Sequence, residues 1–262
     1  LTFKEGIRDR ALYGITIVAL MMLLATILVT SLFAHELGKV MVDLNLSTIA
    51  FAGLLLTFFV NINLMAKDID KRTIYCVLSK PISRTEYILG KYAGLILLVF
   101  VALFFLFLFS AGVAWAIKAS HPVYYFRDFS WFCYLQAFCY ELMMFMLLNA
   151  IIIFFSSITT SSFLTLLFSI AVYITGQSIE EVVQFFKNEA SRSGLSTSIN
   201  HYFIEIIQYI FPNLSAFDIK TLASHGKLVA ASHTIAVLAY SITYTILLLF
   251  IAALIFNRRE FN

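Results

Sequence analysis

Long apolar runs alternate with short charged stretches along the whole chain. Six runs stand out, covering roughly residues 11–34, 46–66, 92–117, 131–155, 160–178 and 228–256. Apolar residues within them are continuous rather than alternating, which favours helices over strands. A helix needs about 20 apolar residues to cross the hydrocarbon of a bilayer. Lipid offers backbone N–H and C=O groups no partner, so only helices and closed barrels cross it. A barrel strand would show a period-2 pattern over about 10 residues, and none is present. The pattern therefore predicts an all-α integral membrane protein, a single transmembrane domain over residues 1–262 with six transmembrane helices. The fifth run is the shortest and most polar. The first, with 24 residues, is longer than the apolar core of a signal peptide (about 7–15), and the sequence SLFA at 31–34 is not an A-x-A cleavage site, so it reads as a retained helix.

Three other segments have apolar residues at helical spacing on a charged background. Residues 2–13 (TFKEGIRDRALY) place Phe3, Ile7, Ala11 and Leu12 together, predicting an N-terminal interfacial helix. Residues 179–190 (IEEVVQFFKNEA) and 201–211 (HYFIEIIQYIF) predict short extracytoplasmic helices between spans five and six, separated by a polar break at 191–198.

The stretch 67–91, KDIDKRTIYCVLSKPISRTEYILGK, holds nine of the chain's 33 Lys, Arg, Asp and Glu residues between two apolar flanks. Ile69, Ile74, Val77 and Leu78 fall near one helical face, while Asp70, Lys71 and Arg72 fall away from it. Pro81 ends that helix by disfavouring helical geometry in the residue before it. Ser83-Arg84-Thr85-Glu86 then matches a capping box directly ahead of the third apolar run. Helix, break and capped helix follow one another, as they would in a rigid knob or in a structured surface loop without a partner.

Charge decides the orientation. Six spans put both termini on one side, and placing that side in the cytoplasm leaves eleven Lys and Arg inside against seven outside. Most of the eleven lie close to span ends, where the positive-inside bias is strongest. The N- and C-termini and residues 67–91 are thus predicted to be cytoplasmic, in a multi-pass protein of the cytoplasmic (inner) membrane. The chain is 61% hydrophobic and 13% charged, against about 25% charged for a soluble domain. Its net charge of +3 is accounted for by topology and calls for no nucleic-acid partner.

Candidate chemistry is sparse. None of the three Gly-Lys pairs has the upstream glycine and following Ser or Thr of a phosphate-binding loop, and no H-E-x-x-H or G-x-S-x-G is present. Cys76, Cys133 and Cys139 form no C-x-x-C pair. His201 and Glu205 could share a helix face, but a metal site needs more ligands. No catalytic residue, metal site or cofactor is expected in this chain. Glu141 is the most informative single residue. A carboxylate near the middle of the fourth span is costly unless paired or wet, so Glu141 either lines a path or gate or is tied to another helix, a Tyr hydroxyl being one partner. Gln136 and Asn149 on the same span are further pathway candidates. Asn61 and Asn63 are expected to bond neighbouring helices.

The inner stretch resembles the segment between the second and third spans of ABC-2-type transporter permeases. It is most similar to the multicopper-enzyme-maturation-like subgroup that includes the nitrous-oxide-reductase maturation permease. The resemblance rests on Asp68 and Asp70, Arg72-Thr73-Ile74, Leu78 through Arg84, Glu86-Tyr87 and Gly90-Lys91. Six spans, the amphipathic N-terminus and FPNLSAFD at 211–218 fit as well. It implies that residues 67–91 form a cytoplasmic coupling helix docking on a separate ABC ATPase dimer through Asp70, Arg72, Thr73, Ile74, Val77, Leu78, Lys80, Pro81, Arg84 and Glu86. It implies too that ATP and Mg are bound by that partner, that a second permease copy completes a homodimer, and that the assembly exports. The alternatives are a membrane scaffold or assembly subunit of a larger complex, and an ATP-independent channel or secondary transporter.

Overall fold

The computed structural model describes residues 2–33, 36–64, 83–159, 161–193 and 211–258. Among the described residues the chain is helical, with no strand. A short helix α1 (Thr2–Ile7) precedes α2 (Arg10–Thr30). Then come α3 (Leu37–Leu64), α4 (Arg84–Ser120), α5 (Trp131–Ile158), α6 (Ser162–Ser193), the short α7 (Lys220–Ser224) and α8 (Ala231–Arg258). Six of these, α2 to α6 and α8, are long and apolar enough to cross a membrane. This is an all-helical protein with the character of a multi-pass membrane protein.

Several helices exceed the minimum length. With 37 residues, α4 extends for about 55 Å, against a hydrocarbon thickness of about 30 Å. The second span begins at Leu37 rather than near 46, because Lys39, Asp43 and Asn45 continue the helix beyond its apolar part. Residues 179–190 are not a separate helix. They continue α6, since no Gly or Pro interrupts the chain between Ser178 and Ser193 and their apolar positions extend the same face, Ile179 and Val183 being buried. Of the other segment expected as a short helix, 201–211, only Phe211 lies within the described residues. The expected single helix over 2–13 is two elements. Asp9 leaves helical geometry, and its side chain accepts from the Ala11 N–H at 2.9 Å to start α2.

Helices α3 and α5 form the centre, with 72% and 67% of their apolar windows buried, whereas only 17% of α2 and 22% of α6 are covered. Helix α5 packs most extensively against α8, and α2 packs against α3 and α4. Between helices surrounded by lipid the hydrophobic effect gives little, and close van der Waals packing and interhelical hydrogen bonds must hold the bundle. Gly53 on α3 shows the first. A Cβ there would stand 2.3 Å from Cζ of Phe145 on α5, so the absence of a side chain lets the aromatic ring press on the α3 backbone. Phe107 stacks on Phe138 at 4.2 Å between α4 and α5.

Both termini of the bundle lie at one end, here termed the terminal face. At the other end α7 packs on α3 and α5. Gly226, just after α7, has φ +64° and lies where a Cβ would be 1.9 Å from the Asp128 carbonyl oxygen. Only glycine combines that left-handed backbone with so close an approach.

Candidate functional site

Two regions concentrate the polar chemistry. The first is the base of the segment joining α3 to α4, at the terminal face. Ser83 caps α4 as the sequence predicts. Its hydroxyl accepts from the Glu86 N–H at 3.2 Å, and the Glu86 carboxylate accepts from the Ser83 N–H at 2.9 Å. Arg84, in the first turn of α4, reaches the end of the last helix. Its Nη1 donates to the carbonyls of Phe256 and Asn257 at 3.1 and 3.2 Å. The last carbonyls of a helix have no partner within it and carry partial negative charge, so a guanidinium there caps α8. Tyr87, one turn along, stacks on Phe256 at 5.7 Å. Lys91, only 3% exposed, donates from Nζ to the Leu64 carbonyl at 3.2 Å. The start of α4 is therefore bonded to the ends of both α3 and α8. Asp70, Arg72, Thr73, Ile74, Val77, Leu78, Lys80 and Pro81 lie outside the described residues. Of the expected docking residues, Arg84 and Glu86 are placed, and both have partners within the chain.

The second region is the interior. Helix α3 opens into a π turn at Leu56–Val60, and the Asn61 N–H bonds the Leu56 carbonyl five residues back. Such turns widen a helix locally and are common where a helix carries function. Directly after it, the Asn61 amide donates to the Asn149 side-chain oxygen on α5, and the Asn149 amide donates to the Phe145 carbonyl at 2.8 Å. Asn61 thus bonds a neighbouring helix, as expected, while Asn63 is exposed.

Gln136 has a different setting. Its Nε2 donates to the Val229 carbonyl at 3.0 Å and to Thr234 Oγ1 at 3.2 Å, and its Oε1 accepts from the Val229 N–H at 3.1 Å. The side chain completes the backbone bonding of the segment leading into α8, helped by Tyr140, whose hydroxyl donates to Thr234 at 3.0 Å.

Glu141 is 4% exposed, and neither carboxyl oxygen has a hydrogen-bond partner among the described residues. The tyrosines near it are committed elsewhere. The Tyr134 hydroxyl bonds Ser110 of α4, and Tyr140 bonds Thr234. Asn45 on α3 is fully buried, with its side chain against the Tyr134 hydroxyl of α5. Thr57 and Ser169 are further buried hydroxyls without a partner among the described residues, on α3 and α6. The three pathway candidates are thus not equivalent. Gln136 and Asn149 are bonded to other parts of the chain, while the Glu141 carboxyl has no hydrogen-bond partner among the described residues.

At the end opposite the terminal face, Glu36, Lys39, Arg127, Asp128 and Ser224 line a cleft of about 180 Å³ with Tyr124 and Tyr125. Among the described residues no three His, Cys, Asp or Glu side chains gather as a metal site would require. The sequence singles out Gln136 and Arg84 but not their partners, and it does not mark Asn45 or Lys91 as site residues. Asn45 and Lys91 could have been noticed as polar groups at the margins of apolar runs. The pairing of Arg84 with Phe256 and Asn257 carries no sequence signal, because its partners are backbone carbonyls 172 and 173 residues away.

These features define a multi-pass helical membrane protein in which the start of α4 is tied to α3 and α8 and polar groups are buried between the helices. No known family profile matches the chain, and no curated protein is found similar to it.

Proposed function

We propose that this chain is the transmembrane subunit of an ABC-2-type transporter, an exporter half driven by a separate ATPase. The terminal face is then cytoplasmic, and the segment between α3 and α4 is the coupling helix. The observation that supports this most is the bracing at the base of that segment. Arg84 and Tyr87 join it to the end of α8, and Lys91 joins it to the end of α3. A push on a flexible loop would be dissipated. A push delivered here is passed to three membrane helices at once, as a motor-driven permease requires. The chain's lack of a phosphate-binding loop is consistent with a motor on another polypeptide. In this account ATP closes the partner dimer, the two coupling segments of a permease homodimer move together, and the helices tilt about the α3–α5 centre.

Affinity purification from membranes in mild detergent tests the reading. An ATPase should co-purify with the wild-type chain and be lost with Leu78→Asp, while the variant chain stays in the membrane fraction. A chain that purifies without any nucleotide-hydrolysing partner overturns it. One observation favours a second reading, a secondary transporter: an unpartnered carboxylate within a span is the kind of group on which ion coupling is built. Transport by the chain alone in proteoliposomes would decide for it.

A further inference from the structure

The cleft at the end opposite the terminal face has no part in the motor-driven reading. Its lining brings together the start of α3 with Glu36 and Lys39, the segment between α4 and α5 with Tyr124, Arg127, Asp128 and Phe129, and the end of α7. Two glycines fix its walls. A Cβ on Gly38 would stand 2.8 Å from the Tyr125 carbonyl oxygen, and one on Gly226 would stand 1.9 Å from that of Asp128. The segment carrying Arg127 and Asp128 is thereby held between α3 and the turn after α7. The cleft is preformed, and a ligand need not spend binding energy on ordering it.

The charges decide what it takes. Lys39 and Glu36 pair at 3.2 Å. Arg127 and Asp128 are exposed, and among the described residues their side chains have neither an ion pair nor a hydrogen bond. The lining thus carries two cations and two anions, with Lys118 at its edge, 5.4 Å over the Phe129 ring. A simple anion would meet Asp128 and Glu36 as well as the cations, and a simple cation would meet Arg127 and Lys39. A group carrying both signs finds an opposite charge at each end. A guanidinium offers phosphate two parallel N–H donors, and a carboxylate accepts from a primary ammonium.

Depth and size narrow the class further. The cleft lies where α3 and α5 begin and beyond the end of α4, which in a bilayer is the level of the headgroups. Exposed Tyr124 and Trp131 stand there, as aromatic residues do at a membrane interface. Phe129 in the wall meets Trp131 edge to face at 4.9 Å, and exposed Phe132 follows on α5. These rings form an apolar track from the cleft towards the hydrocarbon. Its volume of about 180 Å³ is below the roughly 300–1,000 Å³ that encloses a drug-sized molecule, and it suits a headgroup.

We propose that this cleft binds the headgroup of a phosphatidylethanolamine lipid. The phosphate lies at Arg127 and Lys39, the ammonium at Asp128, and the acyl chains run along Trp131 and Phe132. The site belongs to this chain alone and does not depend on the ATPase reading. Its test uses the purified chain without a partner, so either idea can fail without the other.

The test is native mass spectrometry of the purified, delipidated full-length chain in detergent. Phosphatidylethanolamine, phosphatidylglycerol and phosphatidylcholine with the same acyl chains are added in turn, and retained lipid is counted. The ethanolamine lipid is expected to bind about fivefold more tightly than either of the others, the worth of one charged contact in an open cleft. Choline has no N–H to donate to Asp128, and glycerol has no charge. Arg127→Gln should weaken ethanolamine-lipid binding about fivefold. Asp128→Asn should erase the preference over phosphatidylcholine. Neither side chain is bonded within the described chain, so both variants should keep the wild-type thermal midpoint, and if one does not fold the other decides. Equal retention of the three lipids overturns the proposal, as does a preference that survives the substitutions or one for phosphatidylglycerol. Displacement of the lipid by free phosphoethanolamine at equal concentration would assign the cleft to a soluble zwitterion and overturn it too.

Discussion

Removing the guanidinium with Arg84→Ala tests the bracing at the terminal face. In the intact chain one nitrogen serves two carbonyls, at 3.1 Å in a half-buried setting and at 3.2 Å in an exposed one. A net hydrogen bond from a charged donor contributes about 1.5 kcal/mol when shielded, and the exposed bond adds little because water replaces it. Loss of the cap leaves the α8 carbonyls to water and loosens the Tyr87–Phe256 stack, worth about 0.5–1 kcal/mol. The local cost is therefore about 1–2 kcal/mol, which multiplies the open population of the last turn of α8 by about 5–30. Hydrogen exchange of peptides covering 250–258 reads this directly, with peptides from the middle of α5 as an internal reference. Faster exchange confined to the end of α8 and the start of α4 is expected. Unchanged exchange there would show that the contact bears no load, and the mechanical argument for this segment would lose its support.

Other consequences follow from particular contacts. Gly226→Ala combines a φ of +64° with a Cβ 1.9 Å from the Asp128 carbonyl oxygen. It should cost at least about 3 kcal/mol, read as a lower thermal midpoint in detergent. Gly90→Ala, where a Cβ would meet nothing within 4 Å, should instead leave the midpoint equal or slightly raised, by no more than about 1 kcal/mol of stability. Asn61→Leu leaves the buried Asn149 oxygen without its donor, costing about 1–3 kcal/mol. Adding Asn149→Leu should recover a good part of that loss, a non-additivity visible in a double-mutant cycle of midpoints.

The spans were legible because bilayer thickness imposes a length and backbone bonding imposes a helix. The Ser83–Glu86 box was legible because capping is local, with both partners within one turn. Where the helices end was harder to read. Lys39, Asp43 and Asn45 look like the boundary of a span, yet charge does not stop a helix, and α3 runs through them. Glu180 and Glu181 misled in the same way at α6. Within the candidate site, the buried position of Glu141 followed from its place in an apolar run. The commitment of Gln136 to Val229 and Thr234 did not, since it depends on how α5 and α8 pack. The π turn at Leu56–Val60 is equally tertiary in origin. Nothing in LTFFV departs from ordinary helix composition.

Photo-crosslinking in cells measures the central claim most directly, with a benzophenone amino acid in place of Leu78. The expected adduct joins this chain to a soluble polypeptide carrying a phosphate-binding loop, identified by mass spectrometry, and it diminishes when that partner is deleted. Adducts only to lipid, or only within this chain, would contradict the assignment of residues 67–91 as the point where the motor grips the membrane subunit.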